Sequence, residues 1–248
     1  MISAVVLDLD GTFLNSNKEI SHRNMDAVMT CIKHDIKIII ATARPPRSVK
    51  KFVPEVMMKN CSFVFYNGGY IIDNSYKEHI YISKKLSAEI IHYCLTISPK
   101  CHLSIELEDK WFSNKGISDV DAAFFNIDTS PIVLSMDELK QLEATKIIMT
   151  GFNNIDQLKE RFNGRVKIVA TDEGELIQIM NKNVSKATGI STLCTRNGLQ
   201  MSDVMVFGDD YNDIEMFKEC GYCVAVENAI DELKKIANEV TLSNDQDG

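Results

Sequence analysis

The chain has 248 residues, 45% of them apolar and 25% charged, with a formal net charge of −8 and a pI near 5.2. That length accommodates one or two domains with a sizeable core, and the composition is ordinary for a soluble globular protein. The acidic balance disfavours nucleic acid or an anionic membrane as a partner held by general electrostatics, while leaving room for a local basic pocket around a small anion.

The opening MISAVVLDLDG lacks the basic start of a secretory signal, and its apolar run is cut by Asp8. No stretch approaches the ~20 apolar residues of a membrane helix. The seven cysteines are odd in number and mostly scattered, which points to reduced thiols and a cytoplasmic setting. Cys220 and Cys223 form a single C-x-x-C pair that runs into Val224, Ala225 and Val226, so it reads as two buried thiols at the start of a strand. The five histidines show no metal-ligand spacing.

Ala4 to Leu7 is an apolar run of the kind found in a strand buried on both faces of a parallel sheet. It ends at Asp8; Asp10 follows, and Gly11 lets the chain turn. Ser21 caps a predicted helix over about 22–34, with Met25, Val28, Met29 and Ile32 on one face. Ile36 to Ile40 is a second strand, ending in Ala41-Thr42-Ala43-Arg44-Pro45-Pro46, and the prolines open a helix over about 46–57. Phe63 to Tyr66 is a third strand, closed by the turn Asn67-Gly68-Gly69. This alternation predicts a doubly wound, Rossmann-like α/β core with a parallel sheet.

The pattern then changes. Tyr70–Ile72 and His79–Ile82 flank Asp73-Asn74-Ser75 and read as a hairpin. Residues 84–183 read as an inserted α+β domain, leaving 1–83 and 184–248 as the core. Within the insertion Ser87 is expected to cap a helix ending before Pro99. His102 to Glu108 alternates, with Leu103, Ile105 and Leu107 on one face, and Trp111 reads as core. Ser135-Met136-Asp137-Glu138 fits a capping box. Strands follow at 146–149, 166–170 and 176–180, with a helix at 155–162 closed by Asn163-Gly164 and a turn at Asp172-Glu173-Gly174. Past residue 184 the α/β alternation returns. Helices are predicted at 186–196, 212–219 and 228–237, strands at 204–207 and 222–226, and an edge strand at 240–242.

Three of these strands end in polar groups: Asp8 and Asp10 after the first, Thr42 after the second, and Asp209 after the strand at 204–207, with Asn212 and Asp213 one turn later. The carboxyl ends of parallel strands share one edge, where open α/β sheets keep their ligands. Carboxylates converging there call for a cation, and oxygen donors without His or Cys suit a hard ion, Mg²⁺ above all. Mg²⁺ commonly bridges to a substrate phosphate, for which Thr42 and Lys186 are candidate donors. Alone, one Asp at a strand end is an ordinary turn residue and one lysine a solvated surface group. It is the constellation that points to chemistry.

Asp8-Leu9-Asp10-Gly11-Thr12, then Thr42, Lys186 and Gly208-Asp209-Asp210-Tyr211-Asn212-Asp213 resemble the four ordered motifs of the haloacid dehalogenase-like phosphohydrolases. The long insertion looks like that of their Cof-type branch, which carries a large α/β cap. Asn67-Gly68-Gly69 and Glu227-Asn228-Ala229 also resemble segments of that branch. The resemblance implies a Mg²⁺-dependent phosphatase acting on a phosphate monoester of a small metabolite, such as a sugar phosphate or a cofactor phosphate, with the insertion setting substrate choice. It implies Asp8 as the nucleophile that forms an aspartyl-phosphate, and Asp10 as general acid and then base. Asp8, the main-chain carbonyl of Asp10, and Asp209 would hold Mg²⁺, while Asp213 would orient Lys186 or a metal-bound water. Thr42, Lys186, Asn212 and the main-chain N–H groups near Leu9 and Ala43 would cradle the phosphoryl oxygens. Ala43 departs from the branch, which usually has glycine there, and fits if its φ stays negative. A phosphomutase of the same superfamily, or a phospho-acceptor module without turnover, are the alternative readings.

Overall fold

The structure is a computed structural model that describes residues 1–117, 129–171 and 175–248. The chain opens with β1 (Ala4–Leu7), α1 (His22–Lys33), β2 (Lys37–Ala41), α2 (Pro46–Val49), α3 (Glu55–Asn60), β3 (Ser62–Phe65), β4 (Tyr70–Asp73) and β5 (Tyr76–His79). Ser21 caps α1, its side chain accepting from the Asn24 N–H. The single helix expected over 46–57 is two short ones. Pro54 takes the N-cap of α3, and a proline has no N–H with which to continue the first helix. The hairpin expected at 70–72 and 79–82 has its second strand three residues earlier, at Tyr76–His79, because Asn74 turns the chain with φ 54°.

Next come α4 (Lys84–Ile97), β6 (His102–Leu107), β7 (Lys110–Ser113), β8 (Ile132–Val133), α5 (Met136–Leu139), β9 (Lys146–Thr150), α6 (Ile155–Arg161), β10 (Val166–Thr171) and β11 (Leu176–Asn181). Ser83, not Ser87, caps α4. Ser87 lies buried inside the first turn and gives its hydroxyl to the Ile82 carbonyl. Ser135 and Glu138 form the expected capping box. The turn expected at Asp172-Glu173-Gly174 lies outside the described residues. The chain finishes with α7 (Lys186–Asn197), β12 (Val204–Gly208), α8 (Ile214–Glu219), β13 (Tyr222–Ala225), α9 (Asp231–Ile236) and β14 (Glu239–Val240).

The described residues form two compact units, Met1–Glu78 with Val184–Gly248, and His79–Asn183. The sequence reading draws the first of these divisions five residues later, at 83/84. Among the described residues, eight strands make one sheet in the order β14-β13-β12-β1-β2-β3-β4-β5. From β14 to β3 the neighbours are parallel; β4 turns antiparallel to β3. Alternate residues of the central strands face two different apolar layers. Val6, Ile39 and Val64 pack with Ala187, Ile190 and Leu193 of α7, while Val5, Ile38 and Phe63 pack with Val28 of α1 and Met57 of α3. That two-sided burial is why these strands are apolar throughout. The chain lays β2 and β3 on one side of β1 and β12 to β14 on the other. Strand order therefore reverses between β1 and β12, and the carboxyl ends at such a reversal are where open α/β sheets keep their ligands.

In the second unit six described strands run in the order β10-β11-β9-β6-β7-β8. Leu103, Ile105, Ile147, Met149, Ile177 and Ile179 form one face of that sheet and pack with Ile90, Ile91 and Leu158. The opposite parity is mixed, with Ser104, Glu106, Lys146 and Gln178 beside Ile148 and Met180. Glu106 stands across from Lys146 on β9 and from Trp111 on β7, and both charged residues are buried. No helix among the described residues is long and apolar enough to cross a membrane.

Candidate active site

The register of the parallel strands builds the site. Leu7 lies opposite both Phe207 and Ile40, so Asp8, Asp209 and Thr42 emerge at neighbouring strand ends. The Asp8 N–H still donates to the Phe207 carbonyl at 3.2 Å, so the main chain is fixed up to the first carboxylate. The turn beyond it is tight, with the Leu9 carbonyl accepting from Leu14 N–H at 2.8 Å. Gly11 sits at φ 83°, and a Cβ there would overlap the Asp209 carboxylate. Thr12 then gives its hydroxyl to Asp209 Oδ1 at 2.8 Å.

Lys186 is the first residue of α7, placed by a capping box between Ser185 and Thr188. The helix start is held against the turn at 66–68, where Gly68, at φ 104°, leaves no room for a Cβ beside the Ser185 carbonyl. Lys186 is fully buried. Its Nζ donates to Asp8 Oδ1 at 2.5 Å and to Asp213 Oδ1 at 2.6 Å. The other Asp213 oxygen accepts the N–H groups of Asp209 and Asp210, at 2.9 and 3.1 Å. Asp213 therefore has both oxygens engaged in fixing Lys186 and the 208–210 loop.

Asp8, Asp209 and Asp213 each present one oxygen within 4.8 Å of the others. Burial holds the Asp8 carboxyl well above the usual carboxylate range; Lys186 opposes this, and the charges of Asp213 and Asp209 reinforce it. Burial likewise pushes Asp209 up to about 6, against the hydrogen bond from Thr12. Burial alone would push Lys186 toward neutrality, but Asp213 and Asp8 outweigh it and keep the ammonium charged. Lys186 offsets one of three neighbouring negative charges, and a divalent cation would offset the rest. An all-oxygen donor set suits a hard ion. The residues present thus fit Mg²⁺, with Asp8 and Asp209 better placed to bind it than Asp213.

The Asp10 side chain is not part of that cluster. Arg44 grips it with Nε on Oδ2 at 2.5 Å and Nη2 on Oδ1 at 2.6 Å, and Lys18 Nζ reaches Oδ1 at 2.8 Å. Burial works against ionisation, but the hydrogen bonds from Arg44 and Lys18 prevail and hold its pKa below the usual value. Arg44 is itself fixed, with Nη1 on Ser48 Oγ at 2.9 Å and the guanidinium 4.7 Å from the centre of the Phe52 ring. Thr42 is buried, and its hydroxyl accepts the Arg44 N–H at 3.1 Å. Ala43 does not take a positive φ, so alanine costs nothing there. Leu9 is wholly buried, and its side chain packs in the apolar layer with Val5, Phe13 and Leu14. Asn212 donates to Asn67 Oδ1 at 3.2 Å, and the Asn67 N–H donates to the Thr42 carbonyl at 2.9 Å.

Sequence reasoning overlooked the contacts of Thr12, Lys18, Arg44 and Asn67. Arg44 carried a usable signal, since it lies two residues past Thr42 at the same strand end. Lys18, in a polar loop, carried none.

A family model for haloacid dehalogenase-like hydrolases matches residues 5–248. The chain belongs to that family. As a haloacid dehalogenase-like hydrolase it is an enzyme, and named phosphatases are among its relatives. It is 26% identical over 275 residues to the 5-amino-6-(5-phospho-D-ribitylamino)uracil phosphatase YwtE of Bacillus subtilis, covering 100% of this chain and 95% of that one. It is 27% identical over 249 residues to a phosphoglycolate phosphatase of Methanobrevibacter smithii, again covering 100% and 95%. A crystal structure of a Thermotoga maritima protein superposes with a TM-score of 0.89 at 27% identity, covering 100% of this chain and 95% of that one. A haloacid dehalogenase-like hydrolase from Bacteroides thetaiotaomicron, at 23% identity, shares the fold with a TM-score of 0.84 over 100% and 97% of the two chains.

Proposed function

We propose that this hydrolase is a Mg²⁺-dependent phosphatase that cleaves the phosphate monoester of a small metabolite through an aspartyl-phosphate on Asp8. The observation that carries the reading is the buried contact of Lys186 with both Asp8 and Asp213, beside Asp209, at the strand-order reversal. Named relatives acting on phosphorylated small molecules support the substrate class.

Asp8 attacks phosphorus, and the ester oxygen leaves with a proton from Asp10; Arg44 and Lys18 hold that carboxyl ionised in the free enzyme, so Asp10 takes up the proton as the anionic substrate binds. Water then attacks the phosphoryl group on Asp8 and gives a proton back to Asp10, regenerating both carboxyl groups. Lys186 holds Asp8 in one orientation and supplies a positive charge to the equatorial oxygens of the transferring group. Thr42, Asn212 and the main chain at Leu9 and Ala43 are the further donors. Asp8, Asp209 and the Asp10 carbonyl would hold Mg²⁺, which would supply positive charge to screen the attacking carboxylate and to stabilise the transferring group.

The test is phosphate release from an aryl phosphate and from a panel of phosphorylated metabolites, with Mg²⁺ present or chelated and with Asp8→Asn. Release that depends on both supports the reading. Activity that survives chelation and the substitution would overturn it, and an isomerised sugar phosphate in place of free phosphate would make the protein a mutase.

A further inference from the structure

The loop between β1 and α1 reaches both arms of the site. Thr12 contacts Asp209, and Lys18 contacts Asp10 at 2.8 Å. Lys18 has φ 63°, a left-handed backbone that a lysine keeps only where its surroundings enforce it. Part of the enforcement is local. The Asn15 carbonyl accepts the Lys18 N–H at 2.9 Å, and Asn15 exchanges two hydrogen bonds with Glu19 at 2.9 and 3.0 Å.

The rest comes from far along the chain. Ser16 gives its N–H to Asp245 Oδ1 and its hydroxyl to Asp245 Oδ2, both at 2.7 Å. Asn244 Nδ2 donates to the Leu14 carbonyl at 2.9 Å, and its N–H donates to Asn228 Oδ1 at 3.0 Å. Asn228 Nδ2 donates in turn to the Gly11 carbonyl at 2.7 Å. Carbonyls at both ends of the 11–14 turn and the middle of the 15–18 turn are thus held by residues 217 to 230 positions away. Among these contacts the Asp245–Ser16 pair is bidentate and charge-assisted, the stronger kind.

We infer that Asn244 and Asp245 are positioning residues for phosphoryl transfer: by holding Leu14 and Ser16 they set Lys18 against Asp10 Oδ1, the oxygen that Arg44 Nη2 also holds. The inference rests on the reading of Asp10 as the group that protonates the leaving oxygen. Arg44 alone leaves the carboxylate one rigid partner. Lys18 gives it a second, from a loop that is tied both by Asn15 and by Asn244 and Asp245.

Two measurements test this, one of them independent of activity. The first is hydrogen exchange at the Ser16 and Lys18 amides. Asp245→Ala is expected to speed it about ten-fold or more, with Asp245→Asn in between because it keeps one acceptor oxygen. Unchanged exchange would overturn the clasp, whatever the enzyme does. The second compares an alkyl phosphate, whose leaving oxygen needs a proton, with p-nitrophenyl phosphate, whose leaving group hardly does. Asp245→Ala is expected to lower kcat on the alkyl ester at least about five-fold more than on the aryl ester, with little change in KM. Lys18→Met should show the same split, and the double variant should be no worse than Lys18→Met alone. Equal losses on both esters, or additive losses in the double variant, would overturn the positioning role. A wild-type enzyme that releases phosphate from neither ester overturns the phosphatase reading and this catalytic role with it, while the exchange result still decides the clasp.

Discussion

Lys186 and Asp213 are fully buried against each other, Nζ to Oδ1 at 2.6 Å, and the second Asp213 oxygen binds the main chain of Asp209 and Asp210. One carboxylate therefore fixes both the cation of the site and the loop that bears Asp209. Breaking a buried pair on one side leaves the other charge uncompensated. Lys186→Met is expected to destabilise the protein by about 3–5 kcal/mol and to abolish turnover. Urea unfolding of the metal-free protein measures the first, and Mg²⁺ should recover part of the loss because it relieves the same carboxylates.

Asp8 behaves differently. Its carboxyl is already disfavoured as an anion by burial and by the charges of Asp213 and Asp209. A neutral amide of the same shape should be tolerated, and Lys186 keeps Asp213 as a partner. Asp8→Asn is expected to leave the unfolding midpoint within a few degrees of wild type or above it. It should lower kcat by about 10⁴-fold or more, the scale of losing a nucleophile. Calorimetry and phosphate release on the same sample check both halves.

The raised Asp209 carboxyl, at about 6, gives a pH signature in metal-free protein. A group whose folded pKa lies above its unfolded value contributes stability below the unfolded pKa and loses it as pH rises through the folded one. Relative to Asp209→Asn, wild type should therefore lose on the order of 2 kcal/mol between about pH 4 and pH 6. Saturating Mg²⁺ should abolish that loss at pH 7 if Asp209 is a ligand. Denaturation midpoints across pH, with chelator and with Mg²⁺, read it directly.

Lys146 in the second unit predicts the opposite slope at alkaline pH. Burial lowers its pKa to about 8, with Glu106 across the strand resisting. The unfolded chain holds this proton up to a lysine's ordinary value, so it binds more protons than the native state between the two. Stability should rise with pH over that interval, by up to about 3 kcal/mol. Subtracting the profile of Lys146→Met isolates this contribution from the cysteines and tyrosines that titrate nearby. A flat difference would mean that Lys146 stays charged.

Gly11→Ala tests the turn after β1. The residue would need a positive φ and a Cβ where the Asp209 carboxylate stands. The backbone strain alone is about 1–3 kcal/mol, and displaced Asp209 should weaken Mg²⁺ binding. Calorimetric titration with Mg²⁺ separates the weakened site from general loss of fold.

Much of this was readable in the chain because it depends on local pattern. Strands buried on both faces must be apolar, so β1, β2, β3 and β12 announced themselves, as did the polar groups at their ends. Misplaced boundaries had local causes as well. Pro54 divides a helix that periodicity alone would continue, and Ser83 outcompetes Ser87 because Ser87 is already enclosed by the first turn of α4.

The sequence by itself determined the fold class, the order of the motifs and the identity of the carboxylates, because hydrophobic period and residue chemistry are local properties. The tertiary structure decided how those groups divide their contacts. Lys186 could have been a surface lysine; the capping of α7 and the close approach at Gly68 bury it between two aspartates. Asp10 lies two residues from Asp8, yet its side chain belongs to Arg44 and Lys18 and not to the Asp8 cluster. Such pairings follow from the register of parallel strands and from loops tied across more than 200 residues, and neither leaves a periodic trace in the chain.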